Sequence, residues 1–79
     1  MNPTIRKECN NKLTIVSDGK KTLYYSYETI IAFRDEHGLT ISKNVWSMTT
    51  GKHLNYICTD KSLRIPYEQF KAKLNALNA

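Results

Sequence analysis

Hydrophobic and polar positions alternate through the first third of the chain. Residues 12–17 (KLTIVS) and 22–27 (TLYYSY) are short β-prone segments on either side of an Asp18-Gly19 pair. An Asp-Gly pair between two such segments is the strongest short-range signal for a β-hairpin. The alternation puts Tyr24 on one face of the return strand. The other face carries three residues that we expect to be buried, Leu23, Tyr25 and Tyr27.

A second pair of β-prone segments follows. Residues 28–34 (ETIIAFR) lead into a turn at residues 35–38, and residues 39–44 (LTISKN) alternate again. This alternation is typical of a half-buried strand. It predicts that Leu39 and Ile41 point inward and that Thr40 and Ser42 point outward. Residues 45–48 either continue this strand past a bulge or form a short successor.

The pattern then changes to a helical period. Leu54, Ile57 and Cys58 fall at positions i, i+3 and i+4, and a preceding Thr can cap a helix. The pattern predicts a short helix over roughly residues 50–58. The alternative is a strand over residues 55–58 that pairs, through an Asp60-Lys61 turn, with residues 63–65.

The end of the chain predicts a brief strand at residues 63–65 and then a second helix. Pro66 suits the first helical position, where its missing N–H costs nothing. Apolar residues then recur at spacings of three, four and three, which predicts an amphipathic helix of about three turns. These residues are Tyr67, Phe70, Leu74 and Leu77.

Strands first and helices last indicate an α+β fold with an antiparallel sheet. We expect three or four strands between residues 4 and 48, covered by two helices, in a single compact domain over residues 1–79. A core this small favours dimerisation through an uncovered sheet edge. The predicted core residues are Leu13, Ile15, Leu23, Ile31, Phe33, Leu39, Ile41, Leu54, Ile57, Phe70 and Leu74.

Composition narrows the class of protein. The 79 residues are 41% hydrophobic and 10% aromatic, which excludes an intrinsically disordered chain. Twelve Lys and Arg against seven Asp and Glu give a net charge of +5. A charge of this sign favours a polyanionic partner or an acidic protein surface.

The chain shows no sign of export, membrane insertion or metal binding. Residues 1–11 lack the apolar segment of a secretory signal, and no apolar run is long enough to cross a bilayer. We therefore expect a cytoplasmic protein in which Cys9 and Cys58 are reduced thiols. His53 and Cys58 could be metal ligands, but a buried thiol and a solvent-facing imidazole are the favoured interpretation. We expect no metal and no cofactor.

Two segments carry a family resemblance. Residues 26–32 (SYETIIA) and 46–55 (WSMTTGKHLN) resemble a group of small proteins of unknown function encoded by phages and mobile elements. The pattern of that group is Ser-Tyr-x-Thr-x-Val-Ala, followed by aromatic-Ser-x-Thr-Thr-x-Lys-His-x-Asn. Ile31 departs from it by replacing Val. The resemblance covers roughly residues 22–58 and implies a phage or plasmid origin and a non-secreted setting, but no activity.

The second of these segments is also the first candidate site. A helix that begins near Thr50 would present unpaired N–H groups and the positive end of its dipole. Thr49, Thr50, Lys52 and His53 would surround that end, which is the chemistry of a phosphate or carboxylate site. The alternative is that one Thr is only an N-cap and that Lys52 is solvated. The Gly spacing of a P-loop is missing.

Basic and aromatic residues elsewhere suggest a second candidate surface. Tyr24, Arg34, Lys43 and Trp46 could stack on bases and neutralise phosphates, although no known nucleic-acid motif is present. We therefore expect a non-enzymatic accessory protein that binds nucleic acid. The alternative is a phage-encoded inhibitor of a host defence system, similar to an anti-CRISPR protein. It would bind a host protein or a ribonucleoprotein.

Overall fold

The computed structural model describes residues 4–77, which contain six strands, two α-helices and one short 3₁₀ turn. The α+β class is confirmed, but the strands outnumber the three or four predicted. The chain divides into two compact units, one ending at Leu39 and the other beginning at Thr40. No helix within residues 4–77 is long and apolar enough to cross a membrane.

The first unit is an antiparallel meander in which each strand pairs with the next along the chain. Its strands are β1 (Thr4–Glu8), β2 (Leu13–Ser17), β3 (Thr22–Ser26) and β4 (Thr29–Asp35). The hydrophobic pattern does not single out β1, because its one large apolar residue, Ile5, is 64% exposed. Outer strands bury little surface and are commonly polar.

The predicted Asp-Gly turn joins β2 to β3. Ser17 pairs with Thr22, and a carboxylate oxygen of Asp18 accepts hydrogen bonds from the backbone N–H groups of Lys20 (3.0 Å) and Lys21 (2.9 Å). Gly19 has a φ of 89°, which a side chain would strain. The acceptor and the glycine together close the turn.

The register of this hairpin reverses the predicted faces of β3. Leu13 and Ile15 are buried, and Tyr24 lies directly opposite Ile15. Tyr24 is therefore on the buried side, whereas Tyr25 lies opposite Thr14 on the open side. The prediction that Tyr25 faces the core was wrong, because the buried residues of β2 set the register. The expectation that Tyr27 is buried was also wrong, since Tyr27 is 53% exposed.

Strand β4 is buried on both of its faces. Ile31, Ala32 and Phe33 are consecutive and all buried, so the strand shows no polar alternation. The register with β3 shifts between Tyr24 and Tyr25, where one extra residue of β4 is accommodated. Such a bulge redirects the side chains on either side of it.

The second unit contains a parallel pairing of two strands. Most of β5 (Gly38–Ser42) belongs to this unit, and it pairs with β6 (Arg64–Ile65), Ile41 opposite Arg64. Parallel strands need a long connection. Here helix α1 (Met48–Ile57) and the 3₁₀ turn (Lys61–Leu63) supply it. The helix predicted over residues 50–58 is confirmed, and the alternative strand over residues 55–58 is wrong.

Two details of the prediction for residues 39–48 were wrong. Ser42 is fully buried rather than outward-facing, and its hydroxyl donates a hydrogen bond to the Lys43 carbonyl (2.8 Å). A small side chain with a local acceptor is buried at little cost. Residues 45–48 neither extend β5 nor form a new strand, because α1 already begins at Met48.

The last element is helix α2 (Tyr67–Leu77), as the apolar spacing predicts. The Pro66 carbonyl accepts a hydrogen bond from the Phe70 N–H (3.0 Å), so Pro66 precedes the first helical residue rather than occupying that position. Phe70 is buried, and Leu74 is half-buried.

The predicted core is largely confirmed. Seven of the eleven predicted residues are buried: Leu13, Ile15, Ile31, Phe33, Ile41, Leu54 and Phe70. The other four, Leu23, Leu39, Ile57 and Leu74, are half-buried. The buried residues that the pattern missed are small or polar, namely Ala32, Ser26, Ser42, Thr50 and His53.

The turn at Asp18 should make stability fall in acid. The backbone N–H groups of Lys21 and Lys20 hold the pKa of the Asp18 carboxyl below its ordinary value of 3.8. A folded-state pKa below the unfolded one stabilises the fold above the unfolded value, and this stabilisation is lost as the pH falls through the folded value. Asp18→Asn keeps an acceptor oxygen but does not titrate. We therefore expect urea unfolding to show a smaller loss of stability below pH 3.8 in the variant. An equal loss in both proteins would contradict this.

Candidate functional site

Helix α1 begins on a side-chain cap. The N-cap is Ser47, whose hydroxyl accepts a hydrogen bond from the Thr50 N–H (3.2 Å). The Ser47 carbonyl accepts the first helical bond, from the Gly51 N–H (3.0 Å). Neither Thr49 nor Thr50 is the cap, so the predicted helix start was two residues too late. A Ser cap of this kind stabilises a helix by about 1 kcal/mol.

A second side chain supports this cap from the preceding loop. The Asn44 amide nitrogen donates to the Ser47 carbonyl (2.7 Å), and the Asn44 amide oxygen accepts from the Trp46 N–H (3.0 Å). A Cβ atom on Gly51 would lie 2.9 Å from that amide nitrogen. Gly51 therefore leaves room for Asn44, and we assign it a structural role rather than a close approach to a ligand.

Three residues of α1 form its buried side. Thr50, His53 and Leu54 occupy positions i, i+3 and i+4 and form the buried side. His53 is only 2% exposed, so the expectation of a solvent-facing imidazole was wrong. The predicted quartet for anion binding is thus divided, because Thr50 and His53 are buried while Thr49 and Lys52 are exposed.

The exposed side of α1 carries a different set of residues. Met48, Lys52 and Tyr56 follow one another at intervals of four and lie on one stripe of the helix. Met48 is 82% exposed and Tyr56 is 52% exposed. The exposed side of α1 therefore carries two large side chains with a lysine between them.

A hydrogen bond places an arginine beside this stripe. One terminal nitrogen of the Arg64 guanidinium donates to the Asn55 side-chain oxygen (2.6 Å), and Asn55 precedes Tyr56 on α1. The Arg64 Nε has no acceptor among the described residues. We call the set Met48, Lys52, Asn55, Tyr56 and Arg64 the α1 face. It combines two cationic groups, an aromatic ring and a thioether.

The other predicted residues of the second unit lie before the helix. Trp46 is half-buried and makes an edge-to-face contact with Tyr67 at 5.4 Å between ring centroids. Lys43 has an exposed side chain, and its backbone N–H donates to the Ile65 carbonyl (2.8 Å). The Trp46 ring therefore has a structural partner, whereas the Lys43 ammonium is in solvent.

The remaining two predicted residues belong to the first unit. Arg34 is exposed on β4, opposite Thr22, and Tyr24 is half-buried on the core side of β3. Of the eight predicted site residues, six therefore lie together at the start of α1 or just before it. They are Lys43, Trp46, Thr49, Thr50, Lys52 and His53.

Charge is distributed unequally between the two units. Residues 1–39 carry six basic and five acidic residues. Residues 40–79 carry six basic residues but only two acidic ones, Asp60 and Glu68. The Asp60 carboxylate accepts hydrogen bonds from the hydroxyl and the backbone N–H of Ser62, and these hydrogen bonds lower its pKa. The net charge of +5 is thus divided as +1 and +4, and the excess lies in the unit that carries the α1 face.

Comparison with known proteins identifies a family but no activity. Residues 4–72 match a family of unknown function, DUF8033. The chain belongs to this family. No curated protein and no solved structure matches the chain. The family match covers both segments of the phage-type pattern, and the phage or plasmid origin stays a prediction.

Residues 4–77 show no arrangement that points to metal chemistry. Within that range no group of three or more His, Cys, Asp or Glu side chains could hold a metal ion. His37 lies in the predicted turn at residues 35–38, and its Nε2 is 3.4 Å from a carboxylate oxygen of Glu36. A non-enzymatic role stays a prediction.

Four residues of the cap and the α1 face were not predicted as site residues from the sequence: Asn44, Ser47, Tyr56 and Arg64. A signal for the cap was available, because Ser and Asn are both strong N-cap residues and both precede the helix. No comparable signal marked Arg64, whose place beside α1 depends on the pairing of β6 with β5.

The Asn44–Gly51 approach predicts a non-additive pair of substitutions. Gly51→Ala should gain about 1 kcal/mol of helix propensity. When Asn44 is present, the added methyl group also displaces the Asn44 amide. This displacement breaks the hydrogen bonds of Asn44 to Ser47 and Trp46, each of which contributes about 0.5–1.5 kcal/mol. We therefore expect Gly51→Ala to be neutral or destabilising alone and stabilising in an Asn44→Ala background. Unfolding free energies of the four proteins test this, and additive effects would contradict the contact.

Proposed function

We propose that this protein is a small basic accessory protein that binds single-stranded nucleic acid through the α1 face. The observation that carries the proposal is the concentration of charge, because residues 40–79 hold a net +4 and expose Lys52 on the same helical stripe as Tyr56. Binding of single strands without a sequence motif requires cationic groups for the phosphates and aromatic rings for the bases. The α1 face supplies both.

Each residue of the α1 face has a defined part in this proposal. Lys52 supplies a mobile ammonium group for a phosphate. Arg64 supplies a guanidinium whose orientation is held by Asn55. Tyr56 offers a half-exposed ring for stacking on a base. Thr49 adds a hydroxyl one helical turn before Lys52.

The start of α1 contributes less than the sequence suggested. The Ser47 hydroxyl occupies the Thr50 N–H, and the Thr50 and His53 side chains are buried. A phosphate at this end would meet the helix dipole and Thr49 only. The proposed interface therefore runs along the exposed side of the helix rather than across its N-terminus.

A second candidate function is inhibition of a host defence protein by direct binding. Exposed large apolar residues of the second unit favour it, since Met48, Tyr56, Val45 and Leu63 are each more than half exposed. Methionine and tyrosine are enriched at the centres of protein interfaces. A basic surface of this kind would bind an acidic protein or a ribonucleoprotein in the cytoplasm of the host.

Salt dependence tests the nucleic-acid proposal. Each phosphate contact to a single strand contributes about −0.7 to the slope of log K against log salt. Lys52→Ala should therefore reduce the slope for a fluorescent oligonucleotide by about 0.7. Tyr56→Leu should weaken binding by about 1–3 kcal/mol with little change of slope. Lys20→Ala, in an exposed turn of the first unit, is the matched control. It should leave the salt slope and the affinity for the oligonucleotide nearly unchanged.

Absence of oligonucleotide binding at low salt would refute this function. A pull-down from nuclease-treated host lysate then tests the second candidate. Retention of one stoichiometric protein that Met48→Ala and Tyr56→Ala release would support inhibition through the α1 face. Loss of all partners on nuclease treatment would instead support nucleic acid.

A further inference from the structure

A groove of about 360 Å³ opens on the sheet of the first unit. The residues that line it are separate from those of the α1 face, which belong to the second unit. Thr14 and Val16 of β2 line it together with Tyr25 of β3 and the two residues of the β3–β4 turn, Tyr27 and Glu28. The groove is a shallow depression that is open to solvent rather than an enclosed cavity. A flat ligand could lie on it, as a base does on a stacking surface.

The groove has aromatic walls and one carboxylate. Tyr25 lies opposite Thr14, so its ring shares the open face of the hairpin. Tyr27 follows two residues later and is more than half exposed. Glu28 is the one charged residue of the lining. Flat rings stack on tyrosine, and a carboxylate in such a setting accepts hydrogen bonds from ligand N–H groups.

Two lysines flank this lining without being part of it. Lys7 lies opposite Thr14 on β1, and the Lys12 carbonyl accepts a hydrogen bond from the Tyr27 N–H (2.8 Å). Both lysines are exposed. Two lysines therefore neighbour a lining that contains two tyrosines and one carboxylate.

The backbone at Tyr27 adopts a conformation that is unusual for a large side chain. Tyr27 has a φ of 57°, in the left-handed region, at the first position of a two-residue hairpin turn. Gly, Asn and Asp are strongly preferred at such positions because a larger side chain is strained there.

We propose that this groove binds one guanine nucleotide of a single strand. The base would lie against Tyr25 and Tyr27, and the Glu28 carboxylate would accept the two adjacent N–H groups of the guanine Watson–Crick edge. Adenine has no such pair of donors, so guanine is preferred. Lys7 and Lys12 would contact the phosphate. The choice of a nucleotide as ligand rests on the proposed function. The residues that would bind it belong to the first unit, whereas the α1 face belongs to the second.

The flanking charges favour a nucleotide over an organic cation. Tyrosine rings and a carboxylate alone would also suit an alkylammonium ion. Lys7 and Lys12 outnumber Glu28, however, and would repel such a ligand. The same lysines attract a phosphate.

The test is an NMR titration of the full chain with GMP, AMP, tetramethylammonium and inorganic phosphate as separate probes. We expect GMP to shift the backbone amides of Thr14, Tyr25 and Glu28 saturably, with weaker binding of AMP. Tyr27→Leu should lower GMP affinity at least about fivefold, the lower end of what loss of one base–aromatic stack costs. Tyr27→Phe should retain it. Glu28→Gln should remove the preference for GMP over AMP, whereas Glu68→Gln on α2 should not.

Several outcomes would overturn the inference. Equal binding of GMP and AMP by the parent would refute recognition of guanine. The same shifts with phosphate alone would show that only the lysines bind, and stronger binding of tetramethylammonium would assign the groove to a cation. The proposed function is judged separately, since Lys52→Ala should weaken oligonucleotide binding without changing the GMP titration. GMP binding without any oligonucleotide binding would refute both the proposed function and the single-stranded source of the nucleotide.

Discussion

The chemistry of the second unit depends on helix α1, whose first turn is held by the hydrogen bond from the Thr50 N–H to the Ser47 hydroxyl. The helix starts at Met48, and its 3.6-residue period then puts Thr50, His53 and Leu54 on one side. Thr50 and His53 consequently turn inward while Lys52 turns outward. Asn44 reinforces this start, and Gly51 leaves space for Asn44. Most of residues 46–53, which the sequence suggested as an anion site, form the cap and the first turns of α1.

This arrangement separates stability from recognition within one short helix. The buried side holds Thr50, His53 and Leu54, and the exposed side holds Met48, Lys52 and Tyr56. The exposed side lies in the half of the chain that carries most of the positive charge. The first unit is close to neutral and offers a tyrosine-lined groove instead. The two surfaces differ in chemistry, so each is tested by its own variants.

Local patterns predicted those parts of the fold that local interactions determine. The Asp18 turn, the spacing of Phe70 and Leu74 in α2, and most of the apolar core follow from turn chemistry and periodicity. The orientation of Tyr24 did not, because a one-residue change of register reverses a strand and only the neighbouring strand fixes it. The burial of His53 was missed because a polar side chain was expected to face solvent, although His53 lies beside Leu54 on the helix. Arg64 joins the α1 face through the pairing of β6, which no local pattern contains.

The most direct test of this account compares two adjacent residues of α1. Lys52 and His53 are both polar, and alanine favours a helix at either position. We predict that Lys52→Ala changes the free energy of unfolding by less than about 0.5 kcal/mol, as is usual for an exposed site. His53→Ala should lower it by about 2 kcal/mol or more, because a buried side chain is removed. Similar small effects for both variants, measured by urea unfolding, would contradict the helix phase on which the account depends.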